Sequence, residues 1–127
     1  FKQVNDRLGH AVGDLVLEQL SQCINNTIRG CDIAARWGGE EFIILLPETP
    51  QELSLIQAER LRSAIAELTI PYKEEFLHIT SSLGVIGTNQ VPKIILPDEL
   101  TLEVFINKAD EAMYIAKKKG RNQISSY

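Results

Sequence analysis

The sequence predicts a mixed α/β domain of the α+β kind, and three observations predict it. Three segments repeat apolar residues at helical spacing, and alternating or continuous apolar runs between them mark strands. Gly38-Gly39 separates two of those runs by the two residues that a tight hairpin needs. The resulting order is α-ββ-α-β-α-β, in a chain of 127 residues that suffices for one core and is too short for two.

Asp14 to Ile28 puts Val16, Leu20, Cys23, Ile24 and Ile28 on one face and is the first helix. Ile33, Ala35 and Trp37 alternate with Ala34 and Arg36 as a strand, and Gly-Gly then turns the chain because both positions accept positive φ. Phe42 to Leu46 is nearly all apolar, which suits a strand buried on both faces. A second helix follows Pro50, with Ala58, Leu61, Ile65 and Leu68 at 3-4-3 spacing. Phe76 to Ile86 is expected as a strand and Thr101 to Lys118 as the third helix, on Leu102, Phe105, Ala109, Ala112 and Ala116. Asn122 to Tyr127 can add a short final strand, and Gly87 to Leu100, with Pro92 and Pro97 around an apolar tetrapeptide, is a long connection.

Composition excludes several classes. A 24% charged, 44% hydrophobic chain is globular and not disordered, and no apolar run approaches a membrane span or a signal peptide. A net charge of −4, from 13 basic and 17 acidic residues, argues against binding a nucleic-acid polymer, while leaving room for a nucleotide held by local cations. Cys23 and Cys31 lack CxxC spacing and read as reduced thiols of a cytoplasmic domain.

The chemistry concentrates in Gly38-Gly39-Glu40-Glu41-Phe42, with Arg29-Gly30-Cys31-Asp32 ahead of it. Two glycines followed by two carboxylates make a tip where bare backbone can approach a nucleotide and negative charge can hold a divalent cation beside its phosphates. Further runs stand around it: Phe1-Lys2-Gln3-Val4-Asn5-Asp6…Gly9-His10…Gly13-Asp14 upstream, and Ala109-Asp110-Glu111-Ala112-Met113-Tyr114…Lys117…Gly120-Arg121-Asn122 near the end. Together these resemble the signature of the GGDEF-domain diguanylate cyclases, here as a GGEEF variant, from Phe1 to about Ile124. Plainer readings stand beside it. Asp14 after Gly13 suits a helix N-cap, Asn5-Asp6 a turn, His10 a packed or capping residue, Glu40-Glu41 a solvated pair, and the basic residues a helix C-terminus.

The resemblance implies a ferredoxin-like or adenylyl-cyclase-like palm, a central, mostly antiparallel sheet flanked by helices. Residues 1–127 would then be one GGDEF domain lacking its opening helix and first strand. That interior strand is expected before Phe1, with the family's first metal-binding aspartate, and the chain without it is expected to fold poorly. By the same resemblance Asn5, His10 and Asp14 bind the guanine of GTP, and the Asp14 carboxylate matches the ring's N–H donors. Gly38 and Gly39 admit the substrate, Glu40 is the metal ligand and acts with Glu41 in catalysis, and Lys117 and Arg121 take the phosphates. Two Mg²⁺ (or Mn²⁺) ions per site are expected. Arg29 and Asp32, with Arg60, occupy the places of the family's inhibitory RxxD site for cyclic di-GMP, where a surface salt bridge is the plainer alternative.

The implied reaction joins two GTP into cyclic di-GMP with release of pyrophosphate. It requires a second GGDEF domain in a homodimer, brought together by an upstream sensory or dimerisation domain. A catalytically silent receptor for cyclic di-GMP or GTP is the alternative. The domain is expected in the cytoplasm, and the resemblance is compatible with a membrane anchor elsewhere in the full protein.

Overall fold

A computed structural model describes residues 6–88 and 102–127. Asn5 and most of the Gly87–Leu100 connection lie outside the described residues. The chain divides into two compact units, residues 1–47 with 63–79 and residues 48–62 with 80–127.

In the first unit, helix α1 runs His10–Thr27 and buries Val12, Val16, Leu17 and Ile24. It starts four residues before the expected Asp14. The burial of Val12 and Val16, one turn apart, outweighs the low helix propensity of Gly13. Gly9, at φ 90°, precedes the first turn, and no side chain caps it. At the other end Thr27 Oγ1 donates to the Cys23 carbonyl at 2.7 Å, and Ile28 leaves in extended conformation.

Strands β1 (Ile33–Gly38) and β2 (Glu41–Leu45) form the expected antiparallel hairpin. Ile33 faces Leu45, Arg36 faces Phe42 and Gly38 faces Glu41, so Trp37 is an extra residue in β1 and makes a bulge. β2 is less buried than its apolar run suggested. Phe42, Ile43 and Ile44 are half-buried and Leu45 is 51% exposed, because β1 is its one ladder partner among the described residues.

The expected strand Phe76–Ile86 is instead two short pieces, and a strand ahead of it had no apolar alternation to announce it. β3 (Ile70–Tyr72) pairs antiparallel with β4 (Glu75–Leu77) around a turn in which Lys73 takes φ 55°. Pro71 sits within β3, an edge position where the missing N–H costs no ladder bond. Ile70 is wholly buried, and β3 packs against α1.

Helix α2 spans Gln51–Ala66, with Ser54 Oγ returning to the Gln51 carbonyl in its first turn at 2.7 Å. Its buried positions Ser54, Ala58, Leu61 and Ile65 keep the expected period, while Leu68 lies past its end. In the second unit β5 (Leu83–Val85) pairs in parallel with β6 (Ile124–Ser126), and α3 (Leu102–Lys118) packs on both. Ala112 and Ala116 on α3 are fully buried. β5 approaches α3 so closely that a Cβ placed on Gly84 would fall on the Ala109 carbonyl oxygen and the Met113 amide nitrogen. The mixed class and the predominance of antiparallel pairing agree with expectation, with the described ladders standing as three two-stranded pairs.

Candidate functional site

The hairpin tip differs in one detail from the sequence expectation. Gly38 ends β1 and pairs with Glu41, so the two turn residues are Gly39 and Glu40 rather than the two glycines. Gly39 alone takes a positive φ, at 53°. The turn therefore carries Glu40 itself, while Glu41 opens β2. Both side chains are exposed, and neither carboxylate bonds to another described residue. Arg36, to which the sequence assigned no role, supports the turn by donating from Nε to the Gly39 carbonyl at 2.9 Å.

Two hard oxygen donors at an open tip suit a magnesium-type cation. Such an ion keeps several waters and is held by one or two carboxylates plus substrate phosphates. Among the described residues no group of three or more His, Cys, Asp or Glu can hold a metal unaided.

On α1, Asp14 is the fifth helical residue and is exposed. That position overturns the N-cap alternative, since the cap is Gly9, and leaves the carboxylate facing solvent. His10 is exposed at the first helical position; it is not packed.

The RxxD segment is built as an ion pair. Arg29 Nε lies 3.0 Å from Asp32 Oδ2 and Arg29 Nη2 lies 2.7 Å from Oδ1, while the Arg29 amide donates to Oδ2 at 2.8 Å. The Asp32 side chain is 1% exposed and that of Arg29 38%. Hydrogen bonding to Arg29 holds the Asp32 carboxyl below its usual value against the opposing effect of burial, and the same bond raises Arg29. Asp32 thus orients Arg29, and presenting its carboxylate to a base would require the pair to open. Cys31 is exposed beside it, whereas Cys23 is half-buried and burial pushes its thiol up. Both cysteines are free.

In the second unit, Lys117 lies half-buried in the last turn of α3. The helix ends in a Schellman motif: Gly120 N–H donates to the Lys117 carbonyl and Arg121 N–H to that of Ala116 at 3.1 Å. Gly120, Arg121 and Asn122 follow one another at φ 120°, 64° and 50°. Arg121 and Asn122 are exposed, and the Lys118 ammonium lies over the Tyr114 ring at 5.0 Å. Arg60 is exposed on α2. Two residues after Arg60, Arg62 of α2 binds Glu59 through Nε at 2.9 Å and Nη2 at 2.5 Å, and Asn122 Oδ1 through Nη1 at 2.7 Å. No sequence signal marked that tie, because its partners lie 60 residues apart.

Comparison with known proteins identifies the family. The chain is 38% identical over 125 residues to diguanylate cyclase A of Treponema denticola, covering 98% of this chain and 32% of that protein. It spans only part of such relatives, 32% of that protein and 17% of diguanylate cyclase DgcP of Pseudomonas aeruginosa. Among solved structures it superposes on diguanylate cyclase SiaD of Pseudomonas aeruginosa, determined with its activator SiaC. The TM-score is 0.89 at 35% identity, over 100% of this chain and 46% of that one. The GGDEF domain of DgcB from Caulobacter crescentus, determined with c-di-GMP, matches at TM-score 0.80 and 26% identity, over 99% of this chain and 71% of that one. The family model "Diguanylate cyclase, GGDEF domain" matches residues 1–123, and with these relatives it shows that this chain belongs to the GGDEF-domain diguanylate cyclase family.

Proposed function

We propose that this chain is a diguanylate cyclase catalytic domain that condenses two GTP into cyclic di-GMP. The observation that carries the reading is the tip, where Glu40 occupies a two-residue turn, exposed and with no competing partner among the described residues. Each 3′-hydroxyl oxygen attacks the α-phosphorus of the other GTP. The bond from that phosphorus to the bridging β-phosphate oxygen breaks, and pyrophosphate leaves. Since one GTP must be presented to another, two domains meet in a symmetric pair.

Glu40 would hold magnesium, which when bound withdraws charge from the α-phosphoryl group and acidifies the attacking hydroxyl. Glu41, beside it, is the carboxylate we assign to accept the hydroxyl proton. Gly39 leaves the turn free of a side chain where the triphosphate approaches the backbone. Lys117 and Arg121 neutralise β- and γ-phosphate oxygens, and Asp14, with Asn5, accepts from the guanine N–H groups. The test is direct: the full-length protein given GTP and magnesium should yield cyclic di-GMP and two pyrophosphates per product.

Asp14→Asn separates guanine recognition from helix stability. The carboxamide turns a donor toward the guanine donors, a mismatch of about 1–3 kcal/mol, or roughly 5- to 150-fold in kcat/KM. Because Asp14 is exposed within α1, the melting temperature should hold. Unchanged GTP kinetics would remove Asp14 from the base pocket.

The Arg29–Asp32 pair favours a second role for the domain, as a binding site for cyclic di-GMP. In a working enzyme this is product inhibition, with Arg29, and Arg60 on α2, meeting the product's phosphates and bases. In a silent domain it would make a receptor that binds cyclic di-GMP and turns over no GTP. Calorimetry on Glu40→Gln protein should show cyclic di-GMP binding that Arg29→Ala weakens about a hundredfold or more. Arg29→Ala also leaves the buried Asp32 carboxylate without its partner, so Arg29→Ala with Asp32→Asn is measured beside it. Equal affinity in all three would eliminate the inhibitory site.

A further inference from the structure

We infer that Arg62 is a positioning residue for Arg121, acting through Asn122. The inference rests on the phosphate role proposed above for Arg121. It begins with the backbone: Arg121 and Asn122 are consecutive non-glycine residues in the left-handed region, at φ 64° and 50°. Asparagine tolerates that region and arginine does not favour it, so such a pair persists where its surroundings hold it. The Schellman bond from Arg121 N–H to the Ala116 carbonyl holds it from the helix side. Gln123 Nε2 donates to the Arg121 carbonyl at 3.1 Å, and the Leu83 N–H bonds the Gln123 carbonyl at 3.0 Å from the strand side.

Arg62 supplies the third restraint and the one made by a charged side chain. Guanidinium has only donors, so Asn122 must present its oxygen to it, which fixes the orientation of the amide. Glu59, one turn earlier on α2, takes two further N–H groups of the same fork at 2.9 Å and 2.5 Å. That pairing raises Arg62, lowers Glu59, and locks the fork so that Nη1 points at Asn122. The Arg62 side chain is 19% exposed although its charge has a partner on the surface. An isolated i,i+3 surface pair contributes little. Here the pair aims a third donor at a turn far along the chain.

Arg121 therefore projects its own guanidinium from a turn whose conformation is set from both sides. When Arg62 is lost, Asn122 is released and the left-handed pair relaxes, which displaces the residue next to it. Displacement of a positioning group by about 1 Å can cost up to about a hundredfold in a well-oriented site.

The test uses the full-length protein with magnesium and 3′-deoxy-GTP, which lacks the attacking hydroxyl and so reports binding without turnover. Arg62→Ala should weaken binding about tenfold, a value within the range that misplacement produces. Asn122→Gly, which keeps left-handed freedom and removes the acceptor, should do the same, and it carries the test if Arg62→Ala fails to fold. In an Arg121→Ala background, Arg62→Ala should produce no additional loss, since the residue through which it acts is gone. The same tenfold loss in that background would overturn the inference alone, as would unchanged affinity in both Arg62→Ala and Asn122→Gly. A parent protein that does not bind 3′-deoxy-GTP, or an Arg121→Ala variant that binds it as the parent does, overturns the phosphate role of Arg121 and this inference with it.

Discussion

Replacing Glu40 by Gln in the full-length protein should lower cyclic di-GMP production from GTP and magnesium by about a hundredfold to a thousandfold. The substitution keeps size and polarity and removes the negative charge that, in the proposed role, would hold a divalent cation. It touches nothing else, because the carboxylate is exposed and bonds to no other described residue. The melting temperature should therefore stay put while turnover collapses, and chromatographic measurement of product beside a thermal melt reads both. Retained turnover would remove Glu40 from the catalytic centre.

Gly84→Ala should act in the opposite way, through stability. A Cβ at Gly84 would stand 3.0 Å from the Met113 Cα and still nearer to two helix backbone atoms, none of which can swing aside as a side chain does. Either β5 or α3 must move, and both belong to the packed second unit. Overpacking costs typically about 1–3 kcal/mol, and a clash with backbone falls at or beyond the upper end of that range. Calorimetric scanning of the full-length protein should show a midpoint about 10 °C or more lower, and Gly84→Val should be worse. An unchanged midpoint would refute the close approach.

What the sequence revealed, and what it hid, divides along the range of the forces involved. The hairpin was legible because its cause is local: alternating residues, two glycines and a register closed within a dozen positions. The start of α1 was hidden because Gly9 and Gly13 argue against a helix, and only the burial of Val12 and Val16 decides otherwise. β3 was hidden because Pro71 reads as a breaker, and its tolerance depends on lying at an edge that a sequence does not display. The candidate site residues are the ones that motif spacing names, and their roles stand as the proposals made above. Of the roles, the pairing of Arg29 with Asp32 was foreseen as the plainer alternative, whereas Arg62, two residues from Arg60, was given no role because its bond to Asn122 reaches 60 residues along the chain.

The bulge at Trp37 makes chain length part of the site's chemistry. Up to Arg36, β1 and β2 keep step, and beyond it β1 has used one residue more than β2 before Gly38 meets Glu41. Because faces alternate residue by residue, the turn bearing Glu40 is out of phase with the body of the hairpin by one position. Deleting Trp37 would bring the two halves back into step and swing the carboxylate-bearing turn to the other side, with every motif residue still present. Substitutions at this exposed tryptophan change one surface side chain; an insertion or deletion there re-aims the whole tip. Variation among related chains should therefore appear at this position as exchange of residue and not as change of length.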